Sequence, residues 1–195
     1  MTANKDLKIG GILLAAGGSS RLGRPKQLLN FEGKTLIRRA AETLADSQCG
    51  PVVVVLGAEV EGSTIELSGL PVQICKNQDW AAGMSSSIIS GLTQIEDINS
   101  DVSAVVITLV DQPQVTTENI DQLVNEFLRS GHSIVAAQYN GTIGVPALFA
   151  AGHFDDLLNL RGDKGARDLL RKTKNKAMIK MDEAAYDIDS LEDIP

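Results

Sequence analysis

The chain has 195 residues, 43% of them hydrophobic and 22% charged, with 18 Lys and Arg against 25 Asp and Glu for a formal net charge of −7. That balance describes a globular chain with enough apolar material for a sizeable core, read as one domain over residues 1–195. It excludes sequence-blind nucleic-acid binding, which needs a basic surface to displace counterions. No apolar run approaches the roughly 18 residues of a membrane span, and residues 1–8 are polar where a secretory signal would be apolar. The expectation is a cytoplasmic protein with neither nucleic acid nor membrane among its partners.

In chain order, residues 8–14 form a short apolar run that ends in a Gly-rich loop. Residues 35–45 show helical spacing, with Leu36, Ala40 and Leu44 on one face. A continuous β-branched run at 52–56 stops at Gly57. Residues 60–67 read as a short helix, 71–75 as a strand, and 85–95 as a helix with Ile88, Ile89, Leu92 and Ile95 in period. Residues 104–109 are a strand of the fully buried type. Thr116 or Thr117 caps a helix running to residue 128, its apolar face made by Ile120, Leu123, Val124 and Phe127. Beyond residue 130 the rhythm changes: 133–138 and 143–149, joined across Asn140-Gly141, read as an antiparallel hairpin. Residues 164–171 follow as a helix and 176–181 as one more strand.

Buried strands alternating with helices imply an α/β fold. Its sheet is mostly parallel, with helices on both faces and a small antiparallel excursion. Ligands of such sheets bind beyond the carboxyl ends of the strands. The residues after Leu14, Cys75 and Leu109 are therefore where chemistry is expected.

The densest signal is Leu14-Ala15-Ala16-Gly17-Gly18-Ser19-Ser20-Arg21-Leu22-Gly23-Arg24-Pro25-Lys26. Gly17, Gly18 and Gly23 permit positive φ and close backbone approach to a ligand. Ser19, Ser20 and free backbone N–H groups can donate to phosphate oxygens. Arg21 and Lys26 supply charge for a triphosphate. The loop is not a P-loop. Gly18 and Gly23 have the spacing, but Arg24 and Pro25 stand where Lys and Ser or Thr must be, and Pro25 can neither ligate magnesium nor offer an N–H. The G-x-G-x-x-G spacing is absent as well. An ordinary Gly/Ser turn is the plain alternative; a strand, glycines and two cations in direct succession favour phosphate.

Asp111 follows the strand at 104–109. A hard cation such as Mg²⁺ takes oxygen ligands, typically carboxylates plus substrate phosphates. Capping the next helix is the other common use of such an Asp, and Thr116 and Thr117 are better placed for that. Asp189 lies in an acidic stretch with Asp182, Glu183, Asp187, Glu192 and Asp193, whose plain reading is a solvated tail. In Asp79-Trp80-Ala81-Ala82-Gly83-Met84-Ser85, Gly83 can let a nucleobase approach the backbone. Trp80 reads as a core residue before a stacking surface. Lys164, Arg167 and Arg171 share a helix face, either solvated or anion-binding. Cys49 and Cys75 match no metal spacing and read as reduced thiols. His132 and His153 are too few for a His-ligated zinc and weaken any His-based mechanism.

Leu14-Ala15-Ala16-Gly17-x-Ser19-x-Arg21-x-Gly23-x-x-Lys26 resembles the signature loop of the nucleotidyltransferases that act on the molybdenum cofactor. The likeness is closest to their molybdopterin cytidylyltransferase branch; molybdenum cofactor guanylyltransferases belong to the same family. Asn77-x-x-Trp80-x-x-Gly83-Met84-x-x-Ser87 is similar to the family's second nucleotide segment, and Asp111-Gln112-Pro113 to its metal-binding segment. Gly144-x-Pro146 and Leu160-x-Gly162-Asp163-Lys164-Gly165-Ala166-Arg167 resemble later motifs, and Asp187-Ile188-Asp189 the C-terminal acidic motif.

The resemblance implies a single-domain, Rossmann-like three-layer sandwich. It implies an enzyme that moves CMP from CTP to the phosphate of molybdopterin and releases pyrophosphate. In that reading Leu14, Ala15, Ala16, Gly17, Gly18, Ser19, Arg21, Lys26, Asp79 and Gly83 bind the nucleotide. Arg21, Lys26 and Asp111 are catalytic, and Asp111 and Asp189 hold Mg²⁺. The family carries Ala at position 16 with cytidine and Gly there with guanosine. Ser190-Leu191 stands where the family commonly has Thr-Pro, so Asp187 stays open as the other metal candidate. The implied partners are CTP, molybdopterin (the molybdenum cofactor), and a molybdoenzyme or its chaperone. The acceptor pocket is expected near residues 144–149 and 162–167. GTP, another phosphorylated acceptor such as a sugar or polyol phosphate, and a non-catalytic nucleotide-binding carrier are the alternatives.

Overall fold

A computed structural model of the chain describes residues 7–18 and 25–193. The first strand, β1 (Lys8–Ala15), feeds the glycine loop; beyond it come a two-residue hairpin, β2 (Asn30–Phe31) and β3 (Lys34–Thr35), and helix α1 (Leu36–Ala45). Then follow β4 (Val52–Leu56), α2 (Val60–Glu66), β5 (Gln73–Lys76), α3 (Met84–Ile98), β6 (Val102–Leu109) and α4 (Thr117–Ser130). The last part holds β7 (Ile134–Tyr139), β8 (Thr142–Ala150), α5 (Phe154–Leu158), α6 (Arg167–Lys172) and β9 (Lys176–Lys180).

Seven strands form one sheet in the order β5-β4-β1-β6-β8-β7-β9. β4 and β6 both pair parallel to β1, and β5 pairs parallel to β4. β8 runs antiparallel to β6 and β7, and β9 returns to the parallel direction beside β7. The expected antiparallel excursion is thus a hairpin set into the main sheet. Its turn is Asn140-Gly141, both residues at positive φ, 49° and 70°, as a tight two-residue hairpin turn requires. The chain leaves β1 toward β4 and β5 and comes back to β6 on the other side. That reversal opens a crevice at the carboxyl ends of β1 and β6.

Side chains of β1 alternate between two cores. Ile9, Leu13 and Ala15 pack toward α1 and α4, while Ile12, Leu14 and Ala16 pack toward α3, α5 and α6. Ile12 and Leu13 are fully buried, a contribution of about 1.5–3 kcal/mol each. The site therefore rests on the best-buried strands. Helix α3 lies unusually close to them at Gly91, where a Cβ would stand 2.6 Å from Ile12 Cγ2 and 2.9 Å from Val55 Cγ2. Helix α4 starts where expected, at Thr116, in a reciprocal cap with Asn119.

Two expectations shift, and one element goes unforeseen. The strand expected at 71–75 begins at Gln73, because Val72 N–H is spent in a turn on Leu70 O. The helix expected at 164–171 begins at Arg167, because Gly162 and Gly165 take φ of 73° and 55°, outside helical space. The β2–β3 hairpin is not signalled by period and is set by Glu32 and Gly33 at φ of 50° and 87°. Cys49 and Cys75 are free and buried. Burial pushes the Cys49 thiol up to about 11 and the Cys75 thiol upward as well, which leaves both protonated and unreactive near neutral pH. His153, at the end of the sheet away from the crevice, joins Ser133 Oγ at 2.9 Å and Asp156 Oδ2 at 3.1 Å. Among the described residues no helix is long and apolar enough to cross a membrane.

Candidate active site

A cleft of about 540 Å³ opens at the carboxyl ends of β1 and β6. Leu14, Ala16, Gly17, Gly18, Lys26, Gly83 and Asp111 line it, so seven of the residues singled out in the sequence meet there. Ala15 does not; it faces the opposite core at 1% exposure. Asp79 does not line the cleft either. It is exposed and serves through its backbone, its N–H donating to Asn77 Oδ1 and its carbonyl accepting from Ser86 Oγ. Ser19, Arg21 and Gly23 lie outside the described residues.

The glycines act differently from expectation. Gly17 and Gly18 have no positive φ. Among the described residues a Cβ on Gly17 would meet nothing within 4 Å, whereas one on Gly18 would stand 2.9 Å from the Trp80 ring. Gly17 thus leaves an open face for a ligand, and Gly18 makes room for the indole. Trp80 itself is half-buried and forms a wall of the cleft, neither wholly core nor wholly free.

Gln27 carries no signal in the sequence, yet it organises the loop. It is 1% exposed, and its Nε2 donates to Ala15 O and Gly17 O, both at 2.8 Å. The two bonds tie the end of β1 and the start of the glycine loop to the segment that carries Lys26.

Across the cleft, Lys26 Nζ lies 3.1 Å from Asp111 Oδ2 and 2.9 Å from Asp189 Oδ1. Burial pulls the Lys26 pKa down, but the Asp111 and Asp189 carboxylates outweigh it and the net shift is upward. The ammonium is therefore a fixed positive charge at neutral pH. Asp111 Oδ1 is buried with no hydrogen-bond partner among the described residues. An oxygen in that state fits a hard cation, which takes one or two carboxylates and completes its shell with substrate phosphates. Among the described residues no group of three or more His, Cys, Asp and Glu forms a metal cage by itself.

Asp189, not Asp187, is the carboxylate that reaches Lys26. The turn that aims it is closed by Asp193, whose Oδ2 accepts from Asp189 N at 2.9 Å, Ser190 N at 2.7 Å and Ser190 Oγ at 3.1 Å. Tyr186 Oη donates to Asp193 O, and Ile188 N donates to Asp111 O at 3.0 Å, which pins the segment to the cleft. Asp187 is open to solvent on one side; partial burial on the other and the nearby Asp111 charge push it up to about 6. Replacing Asp193 by alanine is expected to free Asp189 and lower turnover by about 10- to 100-fold, while Asp193→Asn, which keeps one acceptor, retains most activity. Steady-state kinetics beside thermal unfolding check this; a turnover loss matched by global destabilisation would make Asp193 merely structural.

The second nucleotide segment is knitted by Asn77, 5% exposed, whose Nδ2 donates to Ser86 Oγ at 2.9 Å and Ser87 Oγ at 3.1 Å. This holds the first turn of α3 at the cleft. Gly83, at φ 111°, precedes that turn. Asp163, from the loop before α6, also lines the cleft.

This sheet order, with a glycine loop at the switch point and a lysine between two carboxylates beside it, defines a Rossmann-like nucleotidyltransferase fold. Residues 11–177 match the family described as MobA-like NTP transferase domain, and the chain belongs to it. A nicotine blue oxidoreductase of Paenarthrobacter nicotinovorans is 36% identical over 172 residues, 83% of this chain and 81% of its own. A relative from Bacillus cytotoxicus, named as a probable molybdenum cofactor guanylyltransferase, is 27% identical over 118 residues, 60% of this chain and 56% of its own. The crystal structure of Rv0371c from Mycobacterium tuberculosis H37Rv matches with a TM-score of 0.83 at 24% identity, over 96% of this chain and 95% of that one. Its manganese complex matches with a TM-score of 0.76 at 23% identity, over 95% of each chain.

Proposed function

We propose that the protein is a cytidylyltransferase that moves CMP from CTP to the terminal phosphate of molybdopterin or its molybdenum-bearing form and releases pyrophosphate. The observation that carries this reading is the Lys26 bridge between Asp111 and Asp189, opposite a glycine loop whose carbonyls Gln27 has engaged. An ionised oxygen of the acceptor's phosphate monoester bonds to the α-phosphorus. The bond from that phosphorus to the oxygen bridging to the β-phosphate breaks, and pyrophosphate departs with the electron pair. Such a step needs no strong base; it needs positioning and charge neutralisation. Gly17 lets the loop backbone approach the triphosphate. Lys26 neutralises charge on the α-phosphate and the leaving group. Asp111, with its free buried oxygen, and Asp189 would hold Mg²⁺, which when bound polarises phosphate oxygens and offsets their charge. Ala16 lines the cleft, and its methyl group favours the smaller pyrimidine by about 1–3 kcal/mol.

The test is divalent-metal-dependent pyrophosphate release with purified molybdopterin, with and without molybdenum, offering CTP, GTP, ATP and UTP separately. Release with CTP alone is expected. Release with GTP instead keeps the transfer and overturns the base assignment, and no release with any nucleotide overturns the transfer. The relative named as an oxidoreductase, 36% identical, favours a second reading. It is checked by following the absorbance of nicotine blue with the protein, with and without an added reductant; a protein-dependent change in the dye without any pyrophosphate release would place the chain with that relative.

A further inference from the structure

Among the described residues, the charged ones lining the cleft are Lys26, Asp111 and Asp163. The first two pair with each other. Asp163 stands instead against the N-terminus of α3, where its Oδ1 occupies the space that a Cβ on Gly83 would need. Its loop is fixed there: Gly162 O accepts from Ser85 N at 3.1 Å, and Gly162 and Gly165 hold left-handed φ. Capping α3 does not account for the carboxylate. Ser85 N is spent on Gly162 O and Ser86 N on Gly83 O, and among the described residues no hydrogen bond or ion pair to the Asp163 side chain is formed.

A carboxylate facing a cleft built for a triphosphate would repel the phosphates. Its chemistry there is that of an acceptor for N–H donors. We propose that Asp163 reads the amino-bearing edge of a bound heterocycle, accepting N–H hydrogen bonds from it. The inference rests on the nucleotidyltransferase reading of the cleft. Of the rings in the proposed transfer, two offer that edge: cytosine, through its N4 amino group, and a pterin, through its 2-amino-4-oxo face, which guanine would share if GTP were the donor. Uracil presents a carbonyl oxygen where cytosine presents the amino group, and a carboxylate rejects it.

Isothermal titration of wild type, Asp163→Ala and Asp163→Asn with CTP, UTP and neopterin tests this without requiring turnover. If the base is read, wild type prefers CTP to UTP by about tenfold or more. Asp163→Ala then loses that preference, Asp163→Asn brings the ratio toward one, and neopterin binding is unchanged. If the acceptor ring is read, Asp163→Ala weakens neopterin by about tenfold to a hundredfold and leaves the CTP to UTP ratio alone. Either result supports the proposal. Isotherms that match wild type for all three probes overturn it, as does wild-type protein that binds none of them. Asp163 is exposed, so both variants should melt within about 2 °C of wild type. Failure of the transfer reading shows separately, as absent pyrophosphate release by wild type.

Discussion

Lys26→Ala protein is expected to fold and to lose about 10²- to 10³-fold in turnover, the scale on which removing one preorganised charge donor acts. Among the described residues Lys26 is the cation lining the cleft, positioned by two carboxylates at 3.1 and 2.9 Å. Without it, Asp111 and Asp189 lose their shared counter-charge just where an incoming triphosphate adds more negative charge. The loss of stability stays near 1–2 kcal/mol, because Asp189 is 71% exposed and water can solvate what the ammonium leaves. That corresponds to a fall of about 2–8 °C in melting temperature. Lys26→Arg should recover only part of the rate, since a planar fork does not replace a compact ammonium between two off-axis carboxylates. Pyrophosphate release by the three proteins, beside their thermal melts, decides it. Near-normal turnover in Lys26→Ala would reduce Lys26 to a pin that holds the C-terminal segment.

The frame of this site was legible because burial writes itself into composition. The β-branched run at 52–56 is β4 residue for residue, and Asp111 stands out because it follows a buried apolar strand, quite apart from its resemblance to a metal-binding segment. What was not legible depends on neighbours far along the chain. Gln27 sits between Lys26 and a Leu28-Leu29 pair with no period to mark it, and its meaning comes from two carbonyls ten and twelve residues earlier. Gly18 looked like a residue chosen for φ, yet it is fixed by the ring of Trp80, sixty-two residues on. The choice between Asp187 and Asp189 hung on a turn whose closing residue, Asp193, is one more acid in an acidic stretch. Period and composition report which face is buried. They do not report which of several like charges a distant backbone will orient.

Gly83→Ala and Gly17→Ala should separate two uses of glycine that look alike in the sequence. At Gly83 the backbone lies at φ 111° and ψ 175°, a region essentially closed to other residues, at a cost of about 1–3 kcal/mol. A Cβ there would also stand 2.8 Å from the carbonyl carbon of Gly162 and 2.9 Å from its oxygen. Backbone cannot swing aside as a flexible side chain can, so either α3 or the loop carrying Asp163 must move. Together these are expected to cost about 3 kcal/mol, or about 6–12 °C in melting temperature, and to weaken nucleotide binding by about tenfold or more as the cleft wall shifts. Adding Asp163→Ala to that variant should restore little, because the Gly162 clash remains. At Gly17 a Cβ meets nothing within 4 Å among the described residues, and φ is not positive. Gly17→Ala should therefore melt with wild type, within about 0.5 kcal/mol, and, on the proposed function, still lose CTP affinity, because the methyl group would occupy the open face assigned there to the triphosphate. Calorimetric titration with CTP and thermal unfolding of both variants test the pair. A Gly17→Ala protein that binds CTP as wild type does would mean the triphosphate lies elsewhere in the cleft; a Gly83→Ala protein of unchanged stability would mean the loop before α6 is not anchored at α3.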